Sequence, residues 1–228
     1  MNKLKVCEIF ASIQGEGVTT GVPTVFVRFS GCNLSCDFCD SVYAMTEAPI
    51  RMTAVEAKDK ICELAGITIN TVVLTGGEPL LYQKTEAFIN LLRLLKTYRF
   101  RIEVETNGTI LPTLEVAELV DQFNNSLKLS NSGVDEVKRI KSSACTFFAN
   151  NLKTWFKFVI TAEEDIKEVQ ELQLRFNIRT DKILLMPEGR TEAEIQGHAK
   201  MVVDMCMIGG YTFCNRLHIL LWGSKRGI

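Results

Sequence analysis

Seven short runs rich in β-branched or aromatic residues recur along the chain: TVFVRFS (24–30), TVVLT (71–75), FRIEVET (100–106), SLKLS (126–130), WFKFVIT (155–161), KILLMP (182–187) and RLHILLW (216–222). Each is a predicted strand, and longer stretches of helical period lie between them. TAVEAKDKICELAG (53–66) opens with Thr53 and Glu56 at capping-box spacing, and KTEAFINLLRLLKTY (84–98) is apolar at Phe88, Leu91, Leu92 and Leu95. Further helices are predicted near 113–122, 163–176 and 190–208. Strand, helix, strand repeated in this way demands right-handed crossovers and a mostly parallel sheet. Seven strands with uneven helices predict an α/β fold, an incomplete TIM-like barrel of parallel strands, in one domain over residues 1–228. Residues 131–152 are the least regular stretch and are expected to form a mobile surface excursion.

In such folds chemistry gathers at the carboxyl ends of the strands. The strand at 24–30 runs directly into GCNLSCDFCDS (31–41), where Cys32, Cys36 and Cys39 have C-x3-C-x2-C spacing. Gly31 and Asn33 tolerate the backbone angles that let a loop turn three sulfurs inward. No fourth cysteine or histidine is nearby; the only histidines are His198 and His218. A structural zinc normally takes four protein ligands, so a zinc site or a redox thiol cluster remains as an alternative reading of the spacing. Three thiolates also suit three irons of a four-iron cluster, with the fourth iron left for a ligand from solution. The remaining cysteines, Cys7, Cys62, Cys145, Cys206 and Cys214, read as small core residues.

Bulk properties narrow the setting. A formal net charge of −1 gives no reason to expect a nucleic-acid partner, and no apolar run reaches the about 20 residues that cross a bilayer. The start, MNKLKVCEIFASIQGEG, lacks a secretory signal, so a cytoplasmic location is expected, where cysteines serve metals or catalysis more often than disulfides. GEGVTTG is one position out for a G-x-G-x-x-G dinucleotide loop.

With its cysteine spacing and with Thr75-Gly76-Gly77-Glu78-Pro79 after a strand, the chain resembles the radical S-adenosylmethionine enzymes. EIFASIQGEGVTTGVPTVFVRFSGCNLSCDFCDS, TGGEP, ETNGT, KLSNSG and the closing LHILLWGSKRGI resemble the 7-carboxy-7-deazaguanine synthase family within that group, over most of the chain and least over 140–180. The resemblance implies a [4Fe-4S] cluster on Cys32, Cys36 and Cys39 whose open iron binds S-adenosylmethionine. It implies contacts to that cofactor from Phe38, Cys39, Asp40, Gly77, Ser126 and Lys128. The implied substrate is 6-carboxy-5,6,7,8-tetrahydropterin, met by Ile13, Gln14, Gly15, Glu16, Arg28, Thr75 and the terminal Ile228. Arg28 offers a planar fork for the substrate carboxylate, and Glu16 an acceptor for the ring amino group. The reaction implied is ring contraction to 7-carboxy-7-deazaguanine with loss of ammonia, begun by a 5′-deoxyadenosyl radical. A homodimer and a flavodoxin or ferredoxin reductant are implied too. The alternative is an activase of glycyl-radical enzymes, which shares the cysteine motif but acts on a partner protein.

Three positions depart from the family pattern. Ser41 stands where the family has a magnesium-binding threonine, and keeps the hydroxyl that Mg2+ would use. Leu127 replaces a proline, and Met186 replaces a glutamine before Pro187, which removes a side-chain hydrogen bond expected to reach the cofactor.

Overall fold

A computed structural model describes residues 3–228. Its strands are β1 (Leu4–Ile13), β2 (Pro23–Phe29), β3 (Ile50–Met52), β4 (Thr71–Gly76), β5 (Arg101–Thr106), β6 (Gln122–Asn125), β7 (Thr154–Ile160), β8 (Ile183–Pro187) and β9 (Thr212–Phe213). Among the described residues they form a single open sheet of order β3-β1-β2-β4-β5-β6-β7-β8-β9. Every pairing from β2 to β9 is parallel, whereas β1 runs antiparallel to both β2 and β3. The parallel α/β expectation therefore holds, with an antiparallel edge added by the amino-terminal hairpin.

Period-two alternation assigns the two faces of the sheet. Val25, Val27 and Phe29 of β2, Val72 and Leu74 of β4, Ile102 and Val104 of β5, and Phe156, Phe158 and Ile160 of β7 enter the main core. The helix Ala54–Ala65 meets this face with Ala57 and Ile61, and the helix Glu86–Thr97 with Phe88, Leu91, Leu92 and Leu95. Each large side chain so buried stabilises the fold by about 1.5–3 kcal/mol. Arg28, Thr75, Glu105, Lys157 and Met186 alternate with them and line a cavity on the other face. The capping box at Thr53 is present, the Glu56 amide donating to Thr53 Oγ1 at 3.2 Å and the Thr53 amide to Glu56 Oε2 at 2.6 Å.

Three sequence expectations are corrected. SLKLS (126–130) is not a strand; the strand is the preceding Gln122–Asn125. Leu127 and Leu129 alternate into the core as strand residues would, but the segment leaves the ladder once the Ser126 amide has bonded Thr106 O at 2.8 Å. RLHILLW is not a strand either: Leu217–Trp222 is a helix that buries Ile219, and the final strand is Thr212–Phe213. An apolar run this short carries no period that separates helix from strand. Finally, 131–152 is not a loose excursion. It contains the helices Glu136–Arg139 and Ser142–Asn150, and Ala144, Cys145 and Phe148 are wholly buried.

The turn after β4 joins the sheet to the cysteine loop. The Gly77 amide donates to Phe29 O at 3.1 Å and the Glu78 amide to Gly31 O at 2.9 Å. Glu78, fully buried, accepts from the Leu80 amide at 2.9 Å, the Asn107 amide at 2.7 Å and the Thr106 hydroxyl at 3.0 Å. Burial pushes its carboxyl up to about 7 against those donors. The folded chain thus holds a proton that the unfolded chain has released, so stability falls as pH rises from the ordinary 4.5 to about 7. In Glu78→Gln we expect that pH slope, worth about 3 kcal/mol between its ends, to vanish. Urea denaturation of the metal-free chain at several pH values measures it.

Candidate active site

The concave face opens into a cavity of about 500 Å3 at the carboxyl ends of the strands. It is lined by Ile13, Gln14, Gly15, Glu16 and Arg28 from the amino-terminal hairpin, and by Cys32, Cys36, Phe38, Cys39, Asp40 and Ser41 from the cysteine loop. Thr75, Gly77, Ser126, Lys128 and Ile228 complete the residues expected from the sequence, and His218 lines the cavity as well. Leu127 does not; its side chain is in the core, so the departure from proline there alters packing and not the cavity wall.

The cysteine loop leaves β2 through Gly31 at φ +85°, a conformation that favours glycine. It is held from three sides: the Gly31 amide bonds Ala44 O at 2.9 Å, the Asp37 amide bonds Ser132 O at 3.0 Å, and Arg190 donates to Cys39 O at 3.1 Å. The backbone of the GGEP turn presses against it so closely that a Cβ on Gly77 would lie 1.9 Å from Gly31 O. Burial pushes the Cys32 and Cys36 thiols up from their ordinary values. Cys32 Sγ accepts from the Leu34 amide at 3.4 Å and from Asn107 Nδ2 at 3.7 Å. Across the loop, Lys128 Nζ donates to Ser126 Oγ at 3.0 Å and lies 5.8 Å from the centre of the Phe38 ring; burial lowers its pKa.

On the hairpin side the groups are paired to one another. Gln14 Nε2 donates to Glu105 Oε1 at 3.0 Å, and Thr75 Oγ1 donates to Glu105 Oε2 at 2.6 Å. The Glu16 amide donates to Gln14 Oε1 at 3.2 Å, which fixes which way the Gln14 amide faces. Glu16 itself binds Lys157 through Oε2 and Arg216 Nε through Oε1, the latter at 2.9 Å, while Arg216 also binds Asp40. Burial opposes the Glu16 charge, but Lys157 and Arg216 hold its carboxyl far below the usual range, and Glu16 in turn raises Lys157 against burial. Arg28 Nε donates to Glu8 Oε1 at 2.8 Å and Nη1 to Ser41 Oγ at 3.2 Å. The Ser41 hydroxyl donates to Asp40 Oδ1 at 2.9 Å.

Sequence reasoning missed Glu105, Lys157 and Arg216 as cavity residues. A signal existed for the first two: Glu105 interrupts RIEVET and Lys157 interrupts WFKFVI, in each case at the alternate position that faces away from the core. A charge there must point into a cavity or to solvent. Arg216 carries no such mark, because its stretch reads as apolar strand.

Residues 26–202 match the radical SAM superfamily. Over 228 aligned residues the chain is 37% identical to the 7-carboxy-7-deazaguanine synthase of Pyrobaculum aerophilum, covering 99% of this chain and 97% of that one. It belongs to the 7-carboxy-7-deazaguanine synthase family of the radical SAM superfamily. The synthase of Halobacterium salinarum is 34% identical, covering 97% of this chain and 91% of the relative. Among solved structures, QueE from Escherichia coli shares the fold with a TM-score of 0.72 at 22% identity, covering 95% of each chain.

The superfamily implies a [4Fe-4S] cluster and S-adenosylmethionine, and the donor set fits both. Three thiols open into one cavity, and amide donors already aim at Cys32 Sγ, as a cluster thiolate requires. No three histidine, cysteine or acidic side chains among the described residues converge on a point suited to a single metal ion. In this family member the Gly77 contact makes a sharp prediction. Gly77→Ala should retain the far-ultraviolet circular dichroism of the parent, yet after anaerobic reconstitution bind less than about a third of its iron and sulfide, because the cysteine loop must shift to admit a methyl group.

Proposed function

We propose that this chain is the enzyme that converts 6-carboxy-5,6,7,8-tetrahydropterin to 7-carboxy-7-deazaguanine with loss of ammonia, at the carboxyl-end cavity. One observation carries the reading: identity to named synthases extends over nearly the whole chain, including both ends, which line the same cavity. That shared name favours a small-molecule reaction over the activation of a partner enzyme.

When bound, the cluster and S-adenosylmethionine supply a carbon-centred radical able to remove a hydrogen atom. The protein's task is to place one C–H bond beside it and to exclude water. Cys32, Cys36 and Cys39 would hold the cluster, with Phe38, Asp40, Gly77, Ser126 and Lys128 around the cofactor. On the opposite wall Arg28 takes the substrate carboxylate, the planar pair for which a guanidinium is built. Ile13, Gln14 and Gly15 meet the flat edge of the ring, Thr75 stands below it, and the carboxylate of Ile228 covers it. Glu16 keeps lone pairs free beyond its bonds to Lys157 and Arg216, so it can accept from the ring amino group.

Ser41 would bind Mg2+ together with substrate oxygens. The donor set fits: its hydroxyl has a second lone pair besides the one facing Arg28, and Asp40 lies against it. A flavodoxin- or ferredoxin-type reductant, a homodimeric state and a cytoplasmic location belong to the same proposal. Among the described residues no helix is long and apolar enough to cross a membrane.

The test is anaerobic incubation of reconstituted protein with S-adenosylmethionine, a strong reductant, Mg2+ and the pterin, with mass spectrometry for 7-carboxy-7-deazaguanine. Product above a control carrying Cys32, Cys36 and Cys39 all replaced by alanine supports the reading; cofactor cleavage without deazapurine overturns the substrate. Arg28→Ala should raise KM for the pterin at least tenfold, the scale of a lost charge-assisted hydrogen bond, with iron content unchanged.

A further inference from the structure

Behind Arg28, outside the cavity wall, stands a carboxylate that the proposed mechanism leaves unused. Glu8 on β1 lies directly opposite Arg28 in the antiparallel ladder. The register shifts between Val6 and Glu8, Val6 pairing with Phe29 and Glu8 with Arg28. Cys7 is therefore an extra residue, a β-bulge. Bulges re-aim the side chains beyond them, because a shift of one residue sends a side chain to the other face of a strand. This one puts Glu8 on the face that carries Arg28.

The two oxygens of Glu8 have separate work. Oε1 accepts from Arg28 Nε at 2.8 Å and from the Tyr43 hydroxyl at 2.9 Å. Oε2 accepts from Arg226 Nε at 3.0 Å, and Arg226 also makes a two-pronged contact with Glu47 at 2.8 and 2.9 Å and stacks 4.0 Å from the centre of the Tyr43 ring. Arg226 lies in the carboxyl-terminal segment, whose residues Ser224 to Ile228 line the cavity. The Ser224 hydroxyl bonds Arg190 O, so the segment is tied on both sides of the opening.

Arg28 has five N–H groups. One goes to Glu8 and one to Ser41, and no acceptor among the described residues takes the other three. Its guanidinium is also flanked by Tyr43 and Phe10, whose ring centres are 5.8 and 5.9 Å away. A fork fixed by its Nε and flanked by two rings presents its remaining donors in one plane. Burial by itself would raise Glu8, but the bonds from Arg28, Arg226 and Tyr43 outweigh it and keep the carboxylate ionised.

We propose that Glu8 is a specificity-determining positioning residue: it holds the Arg28 fork in register for a planar carboxylate on the substrate while anchoring the carboxyl-terminal strap over the same cavity through Arg226. The inference rests on the synthase reading above. It makes selection for a carboxylated pterin depend on a residue that never touches the pterin, and links that selection to cover of the cavity.

The test compares reconstituted wild type, Glu8→Ala, Glu8→Gln and Arg226→Ala. For each, KM and kcat are measured with 6-carboxytetrahydropterin, and the inhibition constant with tetrahydropterin lacking the 6-carboxylate. Glu8→Ala should raise KM for the carboxylated substrate roughly 10- to 100-fold, the range for losing a charge-assisted hydrogen bond. Its inhibition constant for the carboxylate-free pterin should rise no further than that of Arg226→Ala, the part that comes from the loosened strap, so that KM rises more than the inhibition constant and discrimination between the two collapses. Glu8→Gln keeps an oxygen for Arg28 but not a second acceptor for Arg226, so its KM should match that of Arg226→Ala. An unchanged KM in Glu8→Ala overturns the proposal, as does an equal rise of KM and inhibition constant, which marks general loss of packing. If the alanine variant does not fold, Glu8→Gln decides: a raised KM that matches Arg226→Ala supports the proposal, and a KM equal to that of wild type overturns it. A wild type that makes no deazapurine would instead overturn the synthase reading itself, a result distinct from an active wild type that Glu8→Ala matches.

Discussion

An open parallel sheet has two edges, and this protein's cavity exists because a short loop closes the gap between them. Gly15 to Gly17, leaving β1 at one side, dock on residues 214–218 beyond β9 at the other. The Leu217 amide bonds Gly15 O at 2.8 Å and the Gly17 amide bonds Cys214 Sγ at 3.0 Å. A Cβ on Gly15 would lie 2.0 Å from His218 Nδ1, so glycine is what permits the approach. At the centre of the closure sits Glu16, between Lys157 of β7 and Arg216.

Such a closure is electrostatically expensive. Taking a carboxylate and two cations out of water costs several kcal/mol per ion, which their mutual attraction offsets only with good geometry. An apolar plug of the same volume would hold the edges together as well or better. The ionic form leaves something an apolar plug would not: a carboxylate with lone pairs facing the cavity, oriented by partners on two different segments. The same group therefore fastens the barrel and lines the cavity.

Much of this was legible in the sequence. The strands whose apolar residues alternate cleanly, such as β2, β4, β5 and β7, were found within a residue or two, as were the capped helices. The cysteine loop and the GGEP turn were placed at the right strand ends because local spacing alone identifies them. The misreadings have separate causes. Gln122–Asn125 is a strand of mostly polar residues because Gln122 and Asn124 point inward to Glu103, with bonds at 3.3 and 3.2 Å, a partner that a one-dimensional pattern does not reveal. The helix Leu217–Trp222 has too few residues to declare a period. Cavity residues contributed by strand interiors, Glu105 and Lys157, were marked by charge in an apolar run, but their partners across the barrel become visible only once the sheet curls.

The closure also has a consequence in time. Glu16 and Arg216 are 200 residues apart in sequence, and Gly17 and Cys214 are 197 apart. Contacts of such separation carry a high loop-closure entropy, a cost that slows folding. On a ribosome the first strand emerges long before its closing partner, and the α/β layers can assemble while the cavity still gapes. The pocket therefore cannot close until residues 214–218 have been made, and a chain truncated before them would lack the partners of Gly15, Glu16 and Gly17 that close this side of the cavity.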